Sequence, residues 1–139
     1  LALLIIDIDH FRQLASALGP RRSEDALLAI DARLRGCVTS ADTVMHVEKD
    51  IFGILLNLPE SANVSIHRVC GKLLGTLNQP LRVGGHEIYM SGCVACVISP
   101  QHGEDALTLV MRAEVAMHQA KRTGGNAYRI FTEATALAE

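Results

Sequence analysis

Asp7, Asp9 and Asp50 are the residues whose type and spacing offer chemistry in this sequence. Asp7 and Asp9 close the apolar run that begins at Leu1. Residues two apart in a strand share a face, so both carboxylates can point the same way. Asp50 follows Glu48-Lys49, and that charged pair separates two β-rich runs, residues 44–47 and 51–56. Apolar runs flanking about two turn residues read as a β-hairpin. The turn is expected at Glu48-Lys49, with Asp50 opening the second strand. Two acids at a strand end and a third at a hairpin tip are what a phosphate-handling metal site needs.

Other candidate groups carry less. Cys93 and Cys96 have zinc-like spacing, but Cys37 and Cys70 do not form a second pair of that kind. Three apart in a strand-like run, they face opposite sides. All four are expected to be reduced, buried thiols. The histidines, His10, His46, His67, His86, His102 and His118, never recur at helical spacing and read as surface or structural groups.

The elements that must position the acids follow from periodicity. The 139 residues fit one domain with one core. Aromatic residues are only 4% of the chain, so Leu, Ile, Val and Ala must fill that core. Residues 1–8 are apolar on both faces and predict a central, covered strand. Residues 10–18 predict a short helix, broken at Gly19-Pro20. Ser23 is expected to cap a longer helix, with Glu24 and Asp25 in its first turn and Leu27, Ile30, Leu34 and Cys37 buried.

The hairpin spans residues 43–57, and residues 58–61 read as a loop. Ile66, Val69, Cys70, Leu73, Leu74 and Leu77 predict another helix, closed by Pro80. A small hairpin turns at Gly84-Gly85, and residues 91–99 form a further strand. Glu104 and Asp105 open a last helix lined by Ala106, Leu109, Val110, Ala113, Met117 and Ala120. Gly124-Gly125 ends it before a strand at residues 126–131. Interspersed helices and antiparallel hairpins imply an α+β fold. The form expected is a ferredoxin-like, palm-type sandwich with a mainly antiparallel sheet of about five strands.

A net charge of −2 lacks the basic footprint of nucleic-acid binding. No apolar run is long enough to span a bilayer, and no leader is visible. The chain starts inside a strand, so it is expected to be cut from a longer protein.

The residues resemble a known family. Leu4-Ile5-Ile6-Asp7-Ile8-Asp9-His10-Phe11 is similar to the first strand and turn of the GGDEF domain, the diguanylate cyclase fold. Residues 111–121 resemble its last helix, and Gly125-Asn126-Ala127-Tyr128-Arg129 the strand after it. The resemblance covers residues 1–131. Residues 132–139 are expected to start a linker to a following domain.

The family's signature falls on Glu48-Lys49-Asp50-Ile51-Phe52, where only the third and fifth positions match. The resemblance implies two glycines at Glu48 and Lys49. A positive φ there would cost a non-glycine residue about 1–2 kcal/mol, so a changed turn is expected. It implies a catalytic acid at Ile51, a side chain that can neither bind metal nor accept a proton. Asp7, the Ile8 carbonyl and Asp50 would be the Mg²⁺ ligands, with Asp9 assisting. An asparagine and an aspartate that read guanine are implied at Ala15 and Glu24. Lys121 matches the phosphate-binding lysine, whereas its partner arginine falls on Gly125. The product-inhibition site falls on Thr39 and Asp42 and lacks its arginine, so no such site is expected.

By resemblance, then, the domain is a non-catalytic, regulatory GGDEF domain in cyclic-di-GMP signalling. Its expected neighbour is an EAL domain in the same cytoplasmic protein, and no cofactor is required. The signature's ending and the missing arginine are similar to the FimX type of tandem protein, which implies a pilus-control adaptor as partner. Two alternatives stand beside this: a GTP sensor without turnover, with Mg²⁺ if GTP binds, and a working cyclase joining two GTP.

Overall fold

Alternation along the first strand decides the layering. In β1 (Ala2–Ile8), Ala2, Leu4, Ile6 and Ile8 are fully buried, while Leu3, Ile5 and Asp7 are half-buried. The strand is therefore central but fully covered on one face only, a correction to the expectation of two. The computed structural model describes residues 1–57 and 65–132. The loop expected at 58–61 and the linker beyond Thr132 lie outside them.

The remaining elements are α1 (Phe11–Leu18), α2 (Pro20–Arg35), β2 (Thr43–Glu48), β3 (Ile51–Leu56), α3 (Ser65–Leu77), β4 (Leu81–Val83), β5 (His86–Ile88), β6 (Gly92–Ile98), α4 (Ala106–Arg122) and β7 (Ala127–Ile130). The main sheet has the order β2-β3-β1-β6-β7. All its pairs are antiparallel except β6–β7. This is the α+β sandwich expected. The small hairpin β4–β5 forms separately, turning at Gly84 and Gly85, whose φ values of 56° and 82° suit a tight hairpin turn.

Helices α1, α2 and α3 cover the even face of β1 with Phe11, Ala26, Ile30, Leu34, Leu73 and Leu77. Helix α4 covers the other face, where Ala113 and Ala116 meet Ala95, Val97 and Phe131. Small side chains let α4 lie close to β6. Its buried stripe is Ala113, Ala116 and Ala120; Ala106 and Val110 are exposed, contrary to the periodicity reading. Asp105 caps this helix by accepting from the Thr108 amide at 2.7 Å.

Helix α2 starts at Pro20, not Ser23. Proline suits the first helical position, and Gly19 at φ 86° makes the reversal from α1. Ser23 is buried inside the helix, where its hydroxyl faces Gly19 O at 2.6 Å and Ala15 O at 3.1 Å. The buried stripe is Ser23, Ala26, Ile30 and Leu34, with Leu27 and Cys37 only half-buried. Cys70, Cys93 and Cys96 are buried, and all four cysteines are free.

Candidate functional site

The end of β1 and the tip of the β2–β3 hairpin are stitched together by backbone. The Ile8 amide donates to Asp50 O at 2.9 Å, and the Asp9 amide to Ser91 O at 2.9 Å. The hairpin turns at Lys49-Asp50, one residue later than the charge pattern predicts. Glu48 pairs with Ile51 because the register shifts between His46 and Glu48. That bulge absorbs an extra residue, and neither Glu48 nor Lys49 takes a positive φ. The turn thus carries no positive-φ strain at either residue.

Asp7, Asp9, Asp50, Lys121 and Gly125 converge on one cavity of about 400 Å³. Asp7 lies on the face that α4 covers, and Lys121 comes from the last turn of α4. The Lys121 ammonium is bonded to Asp7 Oδ2, with the Asp7 side chain 14% exposed and that of Lys121 52%. Burial raises the Asp7 carboxyl above its usual range; the charges of Asp50 and Asp9 add to this, and Lys121 opposes it. Lys121 is itself raised, chiefly by its bond to Asp7. Ile51 pairs across β1–β3 with Asp7, so an apolar side chain stands beside the acid where the resemblance implies a second one.

Asp9 shares the cavity but is bound elsewhere. Its Oδ2 accepts from Ser91 Oγ at 2.6 Å and from the Asn126 amide at 2.8 Å, and its Oδ1 lies 3.5 Å from Cys93 Sγ. Burial, then the Asp9 charge, pushes the Cys93 thiol up to about 11. A Cβ on Gly125 would come within 2.7 Å of Asp9 Oδ2, and Gly125 has φ 96°. The position of the missing arginine is thus closed to any side chain in this conformation.

These contacts decide the fit of the implied Mg²⁺. Asp7 already carries an ammonium and Asp9 three donors, which leaves Asp50 and the Ile8 carbonyl. Among the described residues no three acidic, histidine or cysteine side chains are grouped to hold a metal. As arranged, the site does not fit a divalent cation.

A second cavity, of about 560 Å³, lies between α1 and α2 and shares Phe11 and Arg12 with the first. It brings together Ala15 and Glu24, the two positions that the resemblance assigns to guanine, with Lys49 at the edge. Thr39 and Asp42 line neither cavity. Asp42 closes a loop by accepting from the Thr39 amide at 2.9 Å, Thr39 Oγ1 at 3.1 Å and the Asn57 amide at 2.9 Å. Slight burial opposes these donors, yet they hold its carboxyl below the usual range.

Sequence reasoning missed the Asp9 brace and its partners Ser91 and Asn126. The one local signal was Asn126 after two glycines, since asparagine tolerates the left-handed conformation that it takes here at φ 49°.

Comparison with known proteins agrees with this fold. The family model described as "Diguanylate cyclase, GGDEF domain" matches residues 1–127. The chain is 26% identical over 132 residues to the cyclic di-GMP phosphodiesterase NbdA of Pseudomonas aeruginosa, covering 95% of this chain but 17% of that relative. The crystal structure of an EAL/GGDEF domain protein from M. capsulatus superimposes with a TM-score of 0.84 at 34% identity, covering 94% of this chain and 84% of that one. The GGDEF domain of TpbB from Pseudomonas aeruginosa does so with a TM-score of 0.90 at 26% identity, covering 99% and 81%. No helix among the described residues is long and apolar enough to cross a membrane.

Proposed function

The chain belongs to the GGDEF family of cyclic-di-GMP signalling proteins, and we propose that it is a member that no longer condenses GTP. It acts instead as a regulatory domain beside an EAL domain of the same cytoplasmic protein.

One observation supports the loss of catalysis: Ile51, paired with Asp7, falls at the position where the family resemblance implies the reaction's acid. A hydrocarbon side chain can neither take the proton of an attacking hydroxyl nor stabilise developing charge. The closed position at Gly125 and the methyl group of Ala15 support the same reading, since each removes a contact to the nucleotide. The EAL neighbour is supported by the likeness to an EAL/GGDEF domain protein and to a relative named as a phosphodiesterase.

Incubation of the purified protein with GTP and Mg²⁺, followed by chromatography, tests the reading. No cyclic-di-GMP above a blank is expected. Product that Asp50→Ala abolishes would overturn it.

A second reading is a GTP sensor without turnover. The adjacency of the two cavities, which share Phe11 and Arg12, favours it, because the implied phosphate and base ends remain neighbours. Calorimetric heat with millimolar GTP that disappears in Glu24→Ala would select this reading; absence of heat would remove it.

A further inference from the structure

We infer that the ammonium of Lys121 is the resident cation of the acidic cavity, so that this domain holds its acids together without a divalent metal. The inference rests on the non-catalytic reading of the same cavity, but it concerns binding rather than turnover.

Asp7, Asp9 and Asp50 meet where β1 ends, and the Asp7 side chain is only 14% exposed. Like charges in such a corner need a counter-charge. Lys121 supplies it from a neighbouring element, along a stem long enough to leave its own side chain half in water. A tethered ammonium acts at high effective concentration and sheds little hydration. Mg²⁺ dehydrates reluctantly and demands near-octahedral oxygen ligands.

Of the other acids, Asp9 is also committed. Asp9 is held by Ser91 and by the Asn126 amide, so it cannot turn to a metal without releasing the turn after α4. The main-chain oxygen of Asp50 is already bonded to the Ile8 amide, which fixes the hairpin tip against β1. A divalent ion would have to expel Lys121 from Asp7 and would then find only part of a coordination shell.

Mn²⁺ titration of the purified protein at neutral pH, followed by electron paramagnetic resonance, tests this directly. The wild type is expected to show no site tighter than about millimolar, and Asp7→Asn to bind no less than wild type. Lys121→Met exposes the acids and is expected to bind Mn²⁺ at least about tenfold more tightly, with a rise in its melting temperature on adding the ion. Adding Asp7→Asn to that variant should erase the gain. Micromolar binding by the wild type that Asp7→Asn weakens would overturn the inference, and so would a folded Lys121→Met that gains no affinity. Micromolar Mn²⁺ binding by the wild type without cyclic-di-GMP synthesis would sink this inference alone, whereas synthesis would sink the non-catalytic reading as well.

Discussion

The two cavities differ in how they depart from the residues that the family resemblance implies. In the acidic corner the charged groups survive, but they are turned on one another: Asp7 to Lys121, and Asp9 to Ser91 and Asn126. In the groove between α1 and α2 the shape survives, yet Ala15 has no group to read a base, and Ser23 spends its hydroxyl on backbone carbonyls. Polar groups that stay in a corner acquire structural partners, and stability then depends on them. Groups deleted from an open groove leave stability nearly untouched.

The sharpest way to break this comparison is Gly125→Arg. It restores the family's arginine, but it forces a non-glycine residue to φ 96° and a Cβ to within 2.7 Å of Asp9 Oδ2. Destabilisation of about 2–4 kcal/mol is expected in urea unfolding. Lys121→Met comes next. It leaves Asp7 without its counter-charge, but the lysine is half in water, so the loss should be about 1–2 kcal/mol, below that of a fully buried pair.

A smaller effect separates the carboxylates by sign. Asp7 is raised from 3.8, so its contribution is full below that pH and is lost as pH rises through the raised value. Asp42 is lowered from 3.8, so its contribution is full above that pH and is lost as pH falls through the lowered value. Between about pH 3 and pH 7, Asp7→Asn should therefore gain stability relative to wild type, while Asp42→Asn loses it. Denaturation midpoints across that range check both. The smallest effect is expected in the groove, where Glu24→Ala should stay within about 0.5 kcal/mol of wild type. A loss as large as that of Lys121→Met would end the contrast between the two regions.

Much of this was legible in the residues. The spacing of Asp7 and Asp9 and the place of Asp50 at a hairpin tip foretold the corner, because strand geometry leaves few choices, whereas the one-sided burial of β1 did not show in a run that is apolar throughout. The resemblance also brought Ala15 and Glu24 to one groove. What stayed hidden depended on tertiary bonds or on register. Gly19-Pro20 reads as a break, yet the same pair can start a helix, and only the packing of Ser23 against α1 decides. The bulge near Val47 moved the turn by one residue, and charge pattern carries no record of a bulge. Burial of α4 was misread at Val110 because the one layer over that sheet face leaves part of the helix uncovered.

The turn after α4 has a consequence for redesign. Asp9 now occupies the room that a side chain at position 125 would require, and it is held there by Ser91 and by the very peptide that follows Gly125. Placing an arginine at position 125 would therefore need two changes at once, a new residue and a displaced carboxylate, so the family's residue is not reached here by a single substitution without rearranging the corner.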